Sequence, residues 1–164
     1  KDPGEASGDR FGWSVALAGD TALVGATGDY NSTDAEASSS GAVYVFGQSG
    51  STWSQGAKLK SDSDDFNEGF GTAVAFDDNT AIIGASDGGV FAYIFTRSGT
   101  TWSLEAKLTP SDGARSDKFG ISVALEGDTA IIGANQEEQD DGYGSTYVFR
   151  RLDGRDQAQS ERCS

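Results

Sequence analysis

The sequence predicts an all-β protein made of three copies of one unit of four antiparallel strands. One apolar segment recurs at residues 11–17, 70–76 and 119–125, and each copy begins with Phe-Gly and contains Val-Ala. The segments around it are short, rich in Val, Ile, Tyr, Phe and Thr, and separated by Gly, Asp, Asn and Ser. This composition is typical of strands and turns, and no segment shows the periodicity of an amphipathic helix.

Each unit continues in the same order of strands. The Phe-Gly strand is followed by a turn of two or three residues and by a second apolar run that ends in Gly-Ala, so the first two strands form a hairpin. A third run follows a loop of variable length, and a fourth run opens with Trp. The second run lies at residues 21–26, 80–85 and 129–134, the third at 42–46, 91–95 and 145–149, and the fourth at 53–59 and 102–108. Because the fourth run occurs only twice, we expect the third unit to stop one strand short.

The spacing of the units indicates the blades of a propeller. The Phe-Gly pairs begin at Phe11, Phe70 and Phe119, and four strands in about 40 to 50 residues is typical of a propeller blade. The first two strands are almost entirely small or aliphatic, whereas the fourth carries Lys58 or Lys107 beside its Trp. We therefore expect burial to fall from the first strand to the fourth. The predicted blades span about residues 8–60, 67–109 and 116–149, and a polar, basic and mobile tail follows at 150–164.

These residues resemble the FG-GAP repeat, the unit of integrin-alpha-type β-propellers and of many secreted microbial proteins. The resemblance rests on Phe-Gly, then Val-Ala, then Gly-Ala after an aliphatic run, and it covers residues 8–149. It implies propeller blades whose Phe-Gly segments pack between neighbours. In integrin propellers, the face that holds the loops between second and third strands carries ligand recognition, so the resemblance also implies an interaction module outside the cytosol.

Two departures from the repeat limit what the resemblance implies. Its Gly-Ala-Pro ending reads Gly-Ala-Thr27, Gly-Ala-Ser86 and Gly-Ala-Asn135 in this chain. No unit carries an Asp-x-Asp-x-Asp-Gly hairpin between its first two strands. One or two carboxylates per turn are too few for a calcium loop, which converges six or more oxygens. The metal sites of integrins are therefore not carried over.

The composition excludes several classes of function. The chain has 26 acidic and 12 basic residues, a net charge of −14, and no His. A nucleic-acid backbone would be repelled, and histidine-dependent catalysis is ruled out. The one cysteine, Cys163, allows no intrachain disulfide, and no apolar run approaches the roughly 18 residues that cross a bilayer. Because the chain opens with Lys1 rather than Met, we expect it to be a processed or trimmed piece of a longer chain.

The acidic residues concentrate on one predicted loop face. Antiparallel strands alternate in direction, so the loops between second and third strands share a face with the links between blades. That face is either a solubilising surface or a binding surface for a cation or a basic partner. The densest cluster of oxygen ligands is a candidate Ca²⁺ site. It consists of Asp62, Asp64, Asp65 and Glu68.

Two further kinds of site are predicted from single residues. Trp13 is free to bind a partner because its repeat counterparts are not Trp, and the acidic loops supply the other candidates. The candidate partner-binding residues are Trp13, Asp29, Asp34, Glu137, Glu138, Asp140 and Asp141. Asn31 opens the sequon Asn31-Ser32-Thr33 in the longest loop and is a candidate for glycosylation.

Three functional hypotheses follow in order of preference. The first is a non-catalytic, extracellular module of the adhesion type that binds proteins through its loop faces. The second is a structural subunit or fragment packed into a larger assembly. The third is a carbohydrate-active enzyme or lectin-like propeller, since carboxylates from different blades could still form a hydrolytic pair. Known propellers close with about four to eight blades, so protein partners, further blades or a second copy completing six blades must cover the two end faces.

Overall fold

A computed structural model describes the backbone and side chains of residues 8–29, 41–62, 68–88, 91–110, 117–135 and 144–151, and the backbone of residues 161–163. In these ranges the chain forms three antiparallel four-stranded sheets, here called blades 1, 2 and 3 in chain order. The predicted all-β fold of three repeated blades is confirmed. Blade 1 consists of β1 (Phe11–Ala18), β2 (Thr21–Ala26), β3 (Ala42–Ser49) and β4 (Thr52–Leu59); blade 2 of β5 (Phe70–Asp77), β6 (Thr80–Ala85), β7 (Phe91–Ser98) and β8 (Thr101–Leu108); and blade 3 of β9 (Phe119–Glu126), β10 (Thr129–Ala134), β11 (Ser145–Arg150) and β12 (Glu161–Cys163).

The prediction that the third unit stops one strand short is wrong. β12 pairs antiparallel with β11, from Thr146 opposite Cys163 to Val148 opposite Glu161. It has three residues, whereas β4 and β8 each have eight. Glu-Arg-Cys carries neither the Trp nor the Ala-Lys-Leu of the other fourth strands, so the repeat pattern could not reveal it. The segment predicted as a tail therefore contributes Arg150 to β11 and three residues to β12, and residues 152–160 lie outside the described part.

Blade 2 packs between the other two blades. Its first strand, β5, lies against β1 and β2 on one side and against β9 on the other. Two apolar cores result, one at each junction, and each is formed by aliphatic side chains of one blade facing aromatic side chains of the next. The first core includes Leu23, Val43, Leu59, Phe70, Ile83, Tyr93 and Phe95, and the second includes Ile82, Ile94, Leu108, Phe119, Ile132, Tyr147 and Phe149.

The Phe residues of the three Phe-Gly pairs occupy equivalent places. Phe70 meets the Tyr and the Phe of its own third strand edge-on, with ring centroids 5.3 and 6.1 Å away. Phe119 repeats this geometry at 5.3 and 6.0 Å, and Phe11 repeats it at 5.4 and 6.2 Å. Phe70 and Phe119 are fully buried between blades. Phe11 is only half-buried because it faces away from blade 2.

This difference predicts unequal costs for one substitution. Phe70→Ala should lower the free energy of unfolding by about 3 to 5 kcal/mol, since it leaves a cavity in a closed core. Phe11→Ala should cost clearly less, because part of its ring is already in water. Urea denaturation of both variants measures the two values. Equal losses, or a Phe70→Ala protein as stable as wild type, would contradict the assignment of Phe70 to a junction core.

Candidate functional site

The backbone takes the same unusual path at each Phe-Gly pair. The residue before Phe has a positive φ of 53° at Arg10, 67° at Gly69 and 50° at Lys118. The Gly after Phe has a φ of 91° to 93° in all three blades. Few residues other than Gly adopt this conformation without strain. It places a bulge directly after the Phe, where the pairing with the second strand shifts register.

This bulge brings the backbones of neighbouring blades into contact. A Cβ built on Gly71 of blade 2 would lie 3.3 Å from Cα of Gly25 in blade 1. A Cβ built on Gly120 of blade 3 would lie 3.2 Å from Cα of Gly84 in blade 2. In both cases the Gly of a Phe-Gly pair meets the Gly of the Gly-Ala ending in the preceding blade. Each junction therefore pairs two glycines, here called its two halves: the Gly of Phe-Gly from one blade and the Gly of Gly-Ala from the preceding blade.

Polar contacts cross each junction beside the glycines. At the first junction Ser14 Oγ donates to the carbonyl oxygen of Gly71 at 2.6 Å, and Arg97 Nη1 donates to Thr21 Oγ1 at 2.8 Å. At the second junction the backbone N–H of Gly127 donates to Asp77 Oδ2 at 2.7 Å. The polar contacts supplement the apolar cores and fix the register of one blade on the next.

The two end blades expose the faces that junctions cover elsewhere. On blade 1, the side chains of Trp13, Val15 and Leu17 are 57%, 70% and 68% exposed; they form its outer face. On blade 3, the outer face contains Ile131, which is 42% exposed, with Ser122 and Ala124 on the adjacent strand. Trp13, predicted as a partner-binding residue, therefore lies on a blade face, where the guanidinium of Arg10 sits 5.5 Å from its ring centroid.

Asp29, predicted to bind a partner, is engaged inside blade 1. It is only 4% exposed, and its carboxylate accepts hydrogen bonds from Tyr44 Oη at 2.5 Å and from Lys58 Nζ at 3.0 Å. Its carbonyl oxygen accepts from the N–H of Gly41 at 3.2 Å. Asp29 thus ties the two ends of the loop between β2 and β3 to each other and to the blade.

The candidate calcium ligands are only partly described. Asp62 is exposed, whereas Glu68 is fully buried and accepts from Tyr93 Oη at 3.1 and 3.3 Å. Asp64 and Asp65 lie outside the described residues. In the described part of the chain, no group of three His, Cys, Asp or Glu side chains could hold a metal ion. Calcium binding at this link stays a prediction.

Sequence reasoning missed a repeated buried acid. Asp9, Glu68 and Asp117 each stand two residues before a Phe-Gly pair, and all three are buried. The carbonyl oxygens of Asp9 and Glu68 each accept an N–H from the loop after the second strand, at 3.0 Å in both blades. In the sequence, acidic residues in polar segments between strands are indistinguishable from surface charges. Their common position relative to Phe-Gly was the available signal.

The remaining predicted sites lie outside the described residues. They are Asn31, Asp34, Glu137, Glu138, Asp140 and Asp141. All six belong to the loops between the second and third strands of blades 1 and 3. Their assignments stay predictions.

A comparison with protein families matches the FG-GAP repeat at residues 2–46 and 102–149, more than half of the chain. The chain belongs to the FG-GAP repeat family. The second Phe-Gly pair falls between the two matched segments, but its φ angles and ring contacts are close to those of the other two pairs, so blade 2 has the same repeat geometry. A comparison with curated proteins finds no match. None of the described residues forms a helix long and apolar enough to cross a membrane.

The paired glycines of the FG-GAP junction predict a specific intolerance to Ala. Gly84→Ala should lower the free energy of unfolding by about 1 to 3 kcal/mol or more, because the new Cβ meets the backbone of Gly120 in blade 3. The matched control is Gly47→Ala, where a Cβ would meet nothing within 4 Å, and it should change stability by less than about 0.5 kcal/mol. Chemical denaturation measures both. Equal stabilities would show that the blades do not depend on this contact.

The Tyr93 and Glu68 pair predicts a loss of stability in alkali. Burial raises the pKa of the Tyr93 hydroxyl above its usual value of about 10, and the charge of Glu68 raises it further. Above pH 10 the unfolded chain therefore releases a proton that the folded chain retains, so stability falls as pH rises. Tyr93→Phe should flatten this fall while costing about 1 to 3 kcal/mol at pH 7, since Glu68 loses a buried donor. Urea denaturation from pH 7 to 11 tests both, and an unchanged alkaline slope would contradict the assignment.

Proposed function

We propose that this FG-GAP chain is a non-catalytic, extracellular protein-interaction module of the adhesion type. One observation carries the proposal: the first two strands have the same lengths and the same bulge in all three blades, but the connections that follow the second strand differ. The second and third strands are joined between Ala26 and Ala42, between Ala85 and Phe91, and between Ala134 and Ser145. Loops of different length on a rigid, repeated scaffold are typical of binding surfaces.

The charge at that end favours a basic partner. The variable loops of blades 1 and 3 contain Asp34, Glu137, Glu138, Asp140 and Asp141. The opposite end has tight turns, such as those that join Ala18 to Thr21 and Ser49 to Thr52. An acidic surface speeds the approach of a basic partner and selects against acidic ones.

Two features support a module without catalysis. The chain has no His to serve as a general base at neutral pH. The two buried carboxylates with described side-chain partners, Asp29 and Glu68, accept hydrogen bonds from tyrosine hydroxyls of their own blades. Their role is to anchor loops. Membership of a repeat family typical of extracellular proteins, together with the sequon at Asn31, supports a location outside the cytosol.

Matched charge removals at the two ends test the proposal. Glu137→Gln with Glu138→Gln removes two charges from a variable loop, and Asp20→Asn with Asp78→Asn removes two exposed charges from the tight turns. The probe is a labelled oligolysine peptide whose binding is followed by fluorescence anisotropy. The loop variant should bind about twofold to thirtyfold more weakly than wild type, at about 0.2 to 1 kcal/mol per charge removed. The turn variant should bind like wild type.

Salt provides the second measurement. Binding of the peptide should weaken as sodium chloride rises, because exposed charges are screened over about 8 to 10 Å near physiological ionic strength. If both variants lose the same affinity, the peptide senses net charge alone, and the loop end is a solubilising surface rather than a recognition surface.

A further inference from the structure

The end blades carry the two unmatched halves of an FG-GAP junction. In the described part of the chain, a Cβ built on Gly12 of blade 1 would meet nothing within 4 Å, although Gly12 has the same φ of 91° as the junction glycines. On blade 3, the nearest atoms to a Cβ on Gly133 all belong to Ser122 of the same blade. Gly12 is thus the Phe-Gly half of a junction, and Gly133 is the Gly-Ala half.

We propose that the outer face of blade 3 docks on the outer face of blade 1 of a second copy of this chain, and that two copies close one ring of six blades. The contact runs head to tail, between different faces of the two copies. This contact forms twice in the dimer, so a two-fold axis relates the two copies. Both outer faces of each copy are then covered. Six blades fall within the range of about four to eight found in closed propellers.

The polar groups of the two outer faces match those of the internal junctions. Ser122 holds the repeat position of Ser14, whose hydroxyl donates to the carbonyl oxygen of the glycine that follows Phe in the next blade. Blade 2 has Ala73 at this position, so blades 1 and 3 alone carry the hydroxyl. In the proposed dimer, Ser122 would donate to the carbonyl oxygen of Gly12 in the second copy.

A second polar contact follows from the turn of blade 1. At the internal junction Asp77 accepts the N–H of Gly127. Glu126 holds the repeat position of Asp77, and Gly19 holds that of Gly127, with φ angles of 54° and 53° at the two glycines. Glu126 would therefore accept the N–H of Gly19 in the second copy.

The apolar groups of the two outer faces hold the same repeat positions as those of the internal junctions. At the internal junctions, the preceding blade offers a small residue on its first strand and an aliphatic residue on its second, Ala16 with Leu23 and Ala75 with Ile82. Blade 3 offers Ala124 with Ile131 in the same register. Val15 and Leu17 on blade 1 hold the positions of Val74 and Phe76, which pack into the first core. The second copy would bury the large apolar side chains that blade 1 exposes.

Sedimentation equilibrium of the chain tests the assembly. The expected species has twice the 17.0 kDa mass of the chain. A monomer at every concentration would overturn the proposal, and would leave further blades of another polypeptide as the occupants. Open polymers of increasing length would overturn ring closure. None of these outcomes bears on the oligolysine assay, so failure of the dimer and failure of the proposed function are distinguishable.

Two substitutions establish which faces meet. Val15→Asp and Ile131→Asp place one charge on each outer face at exposed positions, and each should weaken dimerisation at least about thirtyfold, as loss of a central interface residue does. Ser51→Asp, in an exposed turn between β3 and β4, is the control and should dimerise like wild type. Circular dichroism and thermal melting of the monomers verify that both interface variants fold.

Mixing the two interface variants gives the decisive result. Each retains one intact outer face, and together they retain one complete junction, so the mixture should form a heterodimer that neither variant forms with itself. Such rescue requires different faces to meet. If Val15→Asp abolishes the dimer while Ile131→Asp leaves it unchanged, blade 1 pairs with blade 1 and the head-to-tail ring is refuted.

Discussion

The close approach of two glycines, one from each blade, is the contact on which the rest of the fold depends. The positive φ after Phe turns the backbone of Gly71 toward Gly25, and that of Gly120 toward Gly84. Only when these backbones meet do the flanking side chains reach packing distance and fill the junction cores. The aliphatic and aromatic residues then supply most of the stabilisation through burial. The glycines supply little burial themselves, but they set the distance at which it occurs.

How exposed a side chain is in this chain therefore depends more on which blade carries it than on its residue type. Val15 and Val74 are the same residue at the same repeat position, yet Val15 is 70% exposed and Val74 packs against a core. The difference arises because a blade lies beside Val74 and, within the described residues, none lies beside Val15. A repeat fold specifies its interface on every blade, including those at the ends. The exposed apolar residues of blade 1 hold the repeat positions that are covered at the junctions of blades 2 and 3.

The repeat made the strand order, the blades and the burial of Phe70 and Phe119 predictable, because one pattern occurs three times and similar segments adopt similar structures. Features that occur once, or that depend on distant partners, were not predictable. β12 lacks the pattern of the other fourth strands, and it exists because β11 offers it an edge. Glu68 looks like a surface charge until Tyr93, 25 residues further along the chain, is placed against it. A charged residue in a segment between strands is expected to be exposed to solvent. The anchoring role of Glu68 can be recognised only when β7, which carries Tyr93, is placed beside it.

The anchoring acids explain how the chain can vary its loops without disturbing its blades. Asp29 joins Tyr44, Lys58 and the N–H of Gly41, so the connection between β2 and β3 is closed at its base before the variable residues begin. In blade 2, Glu68 fixes the base of the loop, because its carbonyl oxygen accepts the N–H of Asp87 and its carboxylate accepts from Tyr93 Oη of β7. A loop that is fixed at both ends can change in length at a small entropic cost, because closure entropy grows only with the logarithm of length. The polar residues at the loop bases thus separate the scaffold from the loops that the proposed partner would contact.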